Sequence, residues 1–333
     1  MTAQRRILVV SPVFHGYWQA IAAALRARGH AVAVHCYDAS ANPVQSVGNK
    51  MLHELPESLR WQPAERAMTD RAIRAFQHSN PDAVLVVKGD QLGAAWWEAV
   101  DASRTPTVLW LYDELRRMRY SMADLAQIGA VASYSPLDVQ AMRNTGIHAQ
   151  FVPLGHDSLT EFTAQPTGDL SFVGARYPNR ERLLRRLAGA GIPVIAYGRT
   201  WSRHPWDVLR TRQFAGPGIR TGRDLGRARA YGAMAGSAAT LNMHGDQDGF
   251  TMRTFEAPGV GAVQLIDRAD VSAFYEPGNE VLVFSDADEL VDLARRVLRD
   301  RVWAKQVRAA GRARTLAEHT LVHRVSALEQ MWD

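Results

Sequence analysis

The stretch Asp248-Gly249-Phe250-Thr251-Met252-Arg253-Thr254-Phe255-Glu256-Ala257-Pro258-Gly259 concentrates chemistry: two acids eight residues apart, an arginine between them, and an apolar strand-like run close behind at 262–266. A loop entering a helix there presents free N–H groups and the positive end of a helix dipole, a setting that suits a diphosphate. Arg253 would add a charge-assisted contact, and Glu256 could accept hydrogen bonds from ribose hydroxyls. On spacing alone the stretch reads equally well as a capped helix with its acids in water. Asp246-Gln247-Asp248 also has the spacing of a divalent-ion clamp, since two hard carboxylates in one loop can hold Mg²⁺ or Mn²⁺. Three-residue motifs arise easily by chance, and the expectation here is a loop that holds no metal.

A second set of candidates follows strand-like runs in the first half. Ser11-Pro12-Val13-Phe14-His15-Gly16-Tyr17 is a turn with one titratable residue, His15, a natural general base near neutral pH. Lys88-Gly89-Asp90 and Asp113-Glu114 end two further strands at the same expected edge. Asp113 could orient or deprotonate a hydroxyl, and Lys88 with Asp90 could hold an acceptor. Each one alone reads as readily as exposed loop charge; their convergence at three strand ends sets them apart. Other features read as structural. His319 and His323 have metal-compatible spacing but no third ligand. Trp96-Trp97 reads as helix packing, Gly216-Pro217-Gly218 as a turn, and Cys36 as a buried thiol at a strand end.

The elements that must position these residues alternate from end to end. Strand-like runs at 6–10, 31–35, 83–87, 107–111, 130–134 and 150–152 are separated by helical patterns, among them 17–28 and 63–78, the latter preceded by a loop rich in Asn, Pro and Ser. Residues 153–168 read as a linker. The pattern then restarts with strands at 170–173, 194–197, 239–241, 263–266 and 281–284, helices starting near Pro178, Asp224, Thr251 and Asp286, and a last helix over 320–332. Strand–helix alternation with short apolar strands predicts parallel sheets covered on both faces, in which ligands sit at the carboxyl ends of strands. Two doubly wound α/β domains are expected, 1–155 and 156–333, facing across a cleft, with the last helix able to pack back on the first.

Composition narrows the function classes. A chain of 333 residues exceeds one comfortable core, and 47% hydrophobic with 22% charged residues is ordinary for a globular protein. The single cysteine excludes an intrachain disulfide, no basic segment followed by an apolar run opens the sequence, and the longest apolar runs are too short to cross a bilayer; a cytoplasmic location is the expectation. The net charge is +5, and only Lys50, Lys88 and Lys305 are lysines. The arginines are spread along the chain, as on solvated helix faces, apart from Arg220, Arg223, Arg227 and Arg229, which stay open as an anion contact.

Taken together, the second-half residues resemble the donor site of GT-B glycosyltransferases, and most closely the CgeB-like glycosyltransferase family. Asn242-Met243-His244 followed by Arg253-Thr254-Phe255-Glu256-Ala257 carries the likeness. Phe274, Gly278, Glu280, Phe284, Glu289-Leu290, His319-Thr320 and Arg324 extend it downstream, and Ser171-Phe172-Val173-Gly174 with Asn179-Arg180 extends it upstream. Over the first half it rests on Lys88-Gly89, residues 110–113 and Pro153-Leu154-Gly155. The resemblance implies a GT-B fold, a first domain that binds the acceptor and a second that binds a nucleotide sugar. It gives Glu256 the ribose, and puts Asp248 in the place of an acid near the donor sugar, where the family usually has the longer Glu. Gly174 and Arg176 fall where the family approaches the donor phosphates. Tyr197, Asn242, His244 and Arg253 fall at strand and helix ends around the nucleotide. The expected reaction is glycosyl transfer to a hydroxyl or amine, with Asp113 or His15 as base, the nucleotide sugar as co-substrate and no metal or other cofactor. A sugar-nucleotide epimerase on the same fold and a nucleic-acid-binding protein remain as alternatives, and nucleic acid could itself be the acceptor.

Overall fold

The computed structural model describes residues 4–39 and 57–333, with the side chains of Phe14 and residues 57–62 left aside. Most of the expected Asn-, Pro- and Ser-rich loop lies outside the described residues. The chain falls into two compact units. The first comprises Met1–Leu154, Asp248–Phe250 and Leu321–Asp333; the second comprises Gly155–Gln247 and Thr251–Thr320.

The first unit is built on a six-stranded sheet of β1 (Arg6–Ser11), β2 (Ala31–Cys36), β3 (Ala83–Val87), β4 (Thr107–Leu111), β5 (Ala130–Ser133) and β6 (Ala149–Phe151), in the spatial order β2-β1-β3-β4-β5-β6. Every pairing is parallel; Ile7 faces Ala83 and Val84 faces Thr107. Residues 7–10 and 83–87 are almost fully buried, as strands covered on both faces must be. The covering helices are α1 (Tyr17–Ala27), α2 (Glu57–Ser79), α3 (Ala94–Ser103), α4 (Met122–Ala126) and α5 (Pro136–Asn144). Helix α2 begins before Pro63, which lies inside it. Two helix starts carry their caps in the sequence: Ser121 and Asp124 form a capping box, and Ser135 accepts from the Asp138 N–H with Pro136 in the first turn.

The second unit has β7 (Leu170–Val173), β8 (Val194–Tyr197), β9 (Arg220–Gly222), β10 (Ala239–Asn242), β11 (Gln264–Ile266) and β12 (Leu282–Val283), all parallel, in the order β12-β11-β10-β7-β8-β9. Its helices are α6 (Pro178–Gly189), α7 (Pro205–Thr211), α8 (Arg227–Gly236), α9 (Arg253–Gly259), α10 (Ala287–Arg299) and α11 (Arg301–Glu318). The last helix, α12 (Leu321–Glu329), belongs to the first unit, where it packs on α1. Glu329 there meets Arg28 and His30, and the Trp332 indole donates to the Val84 carbonyl.

Strand β9, helix α7 and the long helix α11 (Arg301–Glu318) escape the sequence reading. Strand β9 is the tripeptide Arg-Thr-Gly at a sheet edge, with no apolar run to mark it. Helix α7 turns its apolar side chains outward and buries Asp207, inverting the pattern by which a helix is recognised. The linker-like stretch 153–168 is also tied down over its second-unit part. Its backbone donates from Gln165 to Gly232 and from Thr167 to Gly236, at 3.0 and 2.8 Å. A Cβ at Gly232 or Gly236 would strike the backbone of Thr163 or Gln165.

Helices α9 and α11 pack through a similarly small residue. A Cβ at Gly311 would strike the Glu280 carbonyl and lie 3.3 Å from the Pro258 Cβ. Gly311→Ala should therefore destabilise the chain by about 1–3 kcal/mol despite the better helix propensity of alanine. Urea unfolding followed by circular dichroism measures this, and an unchanged or raised midpoint would contradict the close packing.

Candidate active site

Each sheet has one place where the strand order reverses. In the first it lies between β1 and β3, in the second between β7 and β10, and crevices outside the carboxyl ends of strands at such points are where open α/β sheets bind ligands. The residues singled out from the sequence follow these strands. His15 follows β1, Lys88 and Asp90 follow β3, and Asp113 follows the neighbouring β4. Gly174 and Arg176 follow β7, Tyr197 ends β8, and Asn242 with His244 lies at the end of β10.

In the first unit the turn after β1 is pinned by Asp38, which accepts from the Val13 N–H at 2.7 Å, and His15 and Gly16 both have left-handed backbone, at φ 45° and 68°. Lys88 and Gly89 are left-handed too, at 62° and 71°. The Tyr120 hydroxyl donates to the Lys88 carbonyl at 3.0 Å, and a Cβ at Gly89 would collide with that hydroxyl and with Val86. This turn brings the Lys88 ammonium to the Asp113 carboxylate at 3.2 Å, so two expected acceptor-side residues meet. Asp90 borders a pocket of about 560 Å³ lined by Glu65, Trp97, Glu98, Asp101 and Tyr120, and its buried Oδ1 has no hydrogen-bond partner among the described residues.

Asp248 sits in the first unit as well. Its carboxylate accepts from the Ser135 hydroxyl at 2.5 Å and the Leu137 N–H at 3.3 Å, and its own N–H donates to Glu114 at 2.7 Å. Glu114 is 1% exposed and also meets Arg116 and Arg117. Burial, and then a carboxyl–carboxyl hydrogen bond with Asp248, raises the Glu114 pKa against the opposing pull of Arg116. Burial works against ionised Asp248, but the hydrogen bonds from Glu114, Ser135 and Leu137 outweigh it and hold that carboxyl below the usual range. Glu114 was visible beside Asp113 as loop charge; nothing in the sequence marks its burial. Asp246 is exposed and lies in the second unit. Among the described residues no group of three or more His, Cys, Asp and Glu is placed to hold a metal ion.

In the second unit Glu256 is fully buried on α9. Its Oε2 pairs with Arg253 one turn earlier, and its Oε1 accepts from the Tyr231 hydroxyl at 3.3 Å. The Arg253 Nε donates to the Val173 carbonyl at 3.3 Å, which puts this guanidinium at the mouth of β7. Asn242 and His244 brace the start of the same helix. The Asn242 amide donates to Thr254 and Gln264 at 3.0 and 3.1 Å. The His244 ring contacts Asp267 at 2.9 Å, and Asp267 also accepts from the His244 N–H. Beneath Glu256, the Tyr231 hydroxyl accepts from the Asp157 N–H, Asp157 pairs with Arg227 at 2.9 Å, and burial pushes the His156 imidazole down to about 4. These buried partners were missed, having no motif of their own.

The Gly174 N–H donates to the Tyr197 carbonyl, and its own carbonyl accepts from the Trp201 indole. A Cβ at Gly198 would collide with that carbonyl, so the turn after β8 needs to be bare. Arg176 pairs with Glu181 at 2.8 Å and donates to the Ala215 carbonyl. Tyr197 lies over Gly222, where burial raises its pKa. Of the arginine group, Arg220, Arg223 and Arg227 each pair with an aspartate: Asp169, Asp207 and Asp157. The His319 ring donates to the Phe274 carbonyl within an aromatic cluster, Trp96 is core, and burial raises the Cys36 thiol to about 11.

The Glu114–Asp248 pair has a pH signature. Native Glu114 keeps its proton to higher pH than it would in the unfolded chain, so stability should decline as pH rises from about 4.5 through the raised value. Asp248 acts in the opposite sense: its contribution is present above the ordinary aspartate range and lost below it. Glu114→Gln keeps a donor toward Asp248 without a charge. Urea midpoints of this variant between pH 4.5 and 7 should lack the wild-type decline; superimposable profiles would show that Glu114 is not the titrating group.

Residues 177–330 match the family model described as glycosyl transferase-like. No curated protein sequence matches the chain. Among solved structures, sucrose-phosphate synthase from Thermosynechococcus elongatus is 14% identical, covers 98% of each chain and superposes with a TM-score of 0.64. HepE from Anabaena in complex with UDP-glucose is 13% identical over 98% of this chain and 100% of its own, also at 0.64. The putative UDP-N-acetylglucosamine 2-epimerase from Listeria monocytogenes is 11% identical over 98% of this chain and 96% of its own, at 0.60. At these identities the structural likeness fixes the fold, two parallel six-stranded sheets with flanking helices. The chain has the GT-B fold, and its residues 177–330 are similar to glycosyl transferase-like proteins.

Proposed function

We propose that the chain transfers a sugar from a nucleotide sugar to an acceptor hydroxyl or amine, with the donor bound by the second unit and the acceptor by the first. One observation carries this reading: Glu256 and Arg253 start α9 beside the point where the second sheet reverses, inside the glycosyl transferase-like segment. The two side chains pair with each other. When donor binds, Arg253 turns to the diphosphate, whose charge grows as the bond to the sugar breaks, and Glu256 is released to the ribose hydroxyls. Gly174 lets the phosphates approach the end of β7, Tyr197 borders the nucleotide, and Asn242 and His244 hold α9 in place. Arg176 keeps the turn after β7 in shape through Glu181. The UDP-glucose complex of HepE supports a uridine diphosphate sugar as donor. The motif residues Asn242 to Ala257 support membership of the CgeB-like branch, and the absence of a helix long and apolar enough to cross a membrane, among the described residues, is in keeping with a cytoplasmic site of action.

The base is assigned to Asp113, which Lys88 fixes in place, ahead of the exposed His15; Lys88 and Asp90 contact the acceptor. Asp248, anchored by Ser135, is the acid assigned nearest the transferred sugar. Metal has no part in this scheme. The epimerase reading is favoured only by the Listeria likeness. It differs in its product: a sugar nucleotide turned over alone would give its epimer and no free nucleoside diphosphate.

Calorimetry with UDP tests the donor assignment. Glu256→Gln should weaken binding by about 1–3 kcal/mol, the worth of a hydrogen bond to a charged group. Undiminished affinity in a folded variant would remove Glu256 from the donor site. Transfer assays run in EDTA test the base: Asp113→Asn should slow turnover by about 10²–10⁴-fold and leave UDP affinity nearly unchanged. Near-normal turnover would move the base elsewhere, with His15→Ala the next variant to assay.

A further inference from the structure

Helix α7 is built inside out. Asp207 points inward, 5% exposed, where it accepts from the Ser202 hydroxyl at 2.8 Å and from Arg223 at 2.8 and 3.2 Å. These bonds fix the rotation of the helix. With Asp207 turned in, Trp206 and Leu209 are 55% and 63% exposed, and they stand three residues apart on one face. Arg210 joins that face one turn after Trp206 and is exposed. Phe214, just beyond the helix, is 72% exposed. Its loop is held from behind, because Arg176 donates to the Ala215 carbonyl and Arg185 to the Pro217 carbonyl, both at 2.9 Å. Phe214 is therefore presented on a tethered loop.

The charge around these apolar side chains has one sign. Residues 199–214 contain Arg199, Arg203, Arg210 and Arg212 and a single acid, the buried Asp207. Arg203, Arg210 and Arg212 are exposed and form no ion pair among the described residues. Tryptophan, leucine and phenylalanine projecting among arginines are suited to an interface that is anionic at its surface and apolar a few ångströms deeper. A nucleic acid would use the arginines but gives an exposed leucine nothing to enter, and a protein partner would not call for cations alone. We infer that α7 and residues 212–214 form a docking surface for an anionic lipid bilayer. The chain lies on the membrane through this patch, with Trp206, Leu209 and Phe214 entering the headgroup–acyl boundary and the arginines pairing with lipid phosphates. This goes beyond the proposed reaction and does not depend on it.

Vesicle flotation of the full chain tests this. Wild-type protein should float with phosphatidylcholine vesicles containing about 30% phosphatidylglycerol, float poorly with phosphatidylcholine alone, and release as salt is raised. The combined Trp206→Ser, Leu209→Ser and Phe214→Ser variant should lower the bound fraction at limiting lipid by about tenfold or more, with its circular dichroism spectrum and urea midpoint unaltered. Should that variant fail to fold, Arg203→Gln, Arg210→Gln and Arg212→Gln together should abolish the preference for phosphatidylglycerol. The inference is overturned if wild-type protein floats with neither vesicle, or if the serine variant floats as wild type does. It is also overturned if wild-type protein, without floating, is a dimer that the serine variant dissociates, or binds single-stranded DNA that the glutamine variant releases.

Discussion

A carboxylate with no exposed surface has to be matched by its surroundings, since taking such an ion out of water costs several kcal/mol even after relaxation. Glu256 is that group in the second unit, and its neighbours are arranged to give it partners. Arg253 neutralises it from one turn away, Tyr231 supplies a hydroxyl from α8, and the Val173 carbonyl holds the arginine at the mouth of β7. Tyr231 is in turn located by Asp157, and Asp157 by Arg227. The chain of partners ties α8, α9 and the segment after Gly155 into one electrostatic assembly, and a buried ion pair of this kind gives a fixed geometry more than net stability.

The first unit has a comparable constraint, solved by sharing protons and dipoles. Glu114 and Asp248 bring two acids together; Glu114 keeps its proton to higher pH than an ordinary glutamate, while Asp248 collects donors from Ser135 and Leu137. The Lys88–Asp113 pair nearby takes the simpler course of opposite charges. Two adjacent residues, Asp113 and Glu114, thus end in contrasting surroundings because one leaves β4 toward a lysine and the other turns into the interior.

Strands such as 83–87 and 170–173 were legible because a parallel strand buried on both faces must be apolar throughout, and β3 and β7 occupy those residues. Arg253 and Glu256 were legible because three-residue spacing on a helix is contact spacing. The rest was hidden for identifiable reasons. Strand β9 draws its place from an edge and from the Arg220–Asp169 pair, neither of which leaves a periodic trace. Helix α7 runs against the rule that apolar faces turn inward. The roles of Tyr231, His156 and Asp157 rest on contacts across long separations, such as Tyr231 to Asp157 over 74 residues, and no local pattern reports a contact of that range.

Residues 153–168 have the composition of a tether, yet beyond Gly155 they lie along α8 with backbone against backbone at Gly232 and Gly236. Two glycines four apart make a groove one turn long, and the bonds at Gln165 and Thr167 set the stretch into it at a defined register. A flexible tether tolerates an added residue at almost no cost. This one behaves as a ruler: an insertion between Thr163 and Thr167 would slide a side chain onto a glycine that has no room for it, so its length is set by geometry where its sequence suggests freedom.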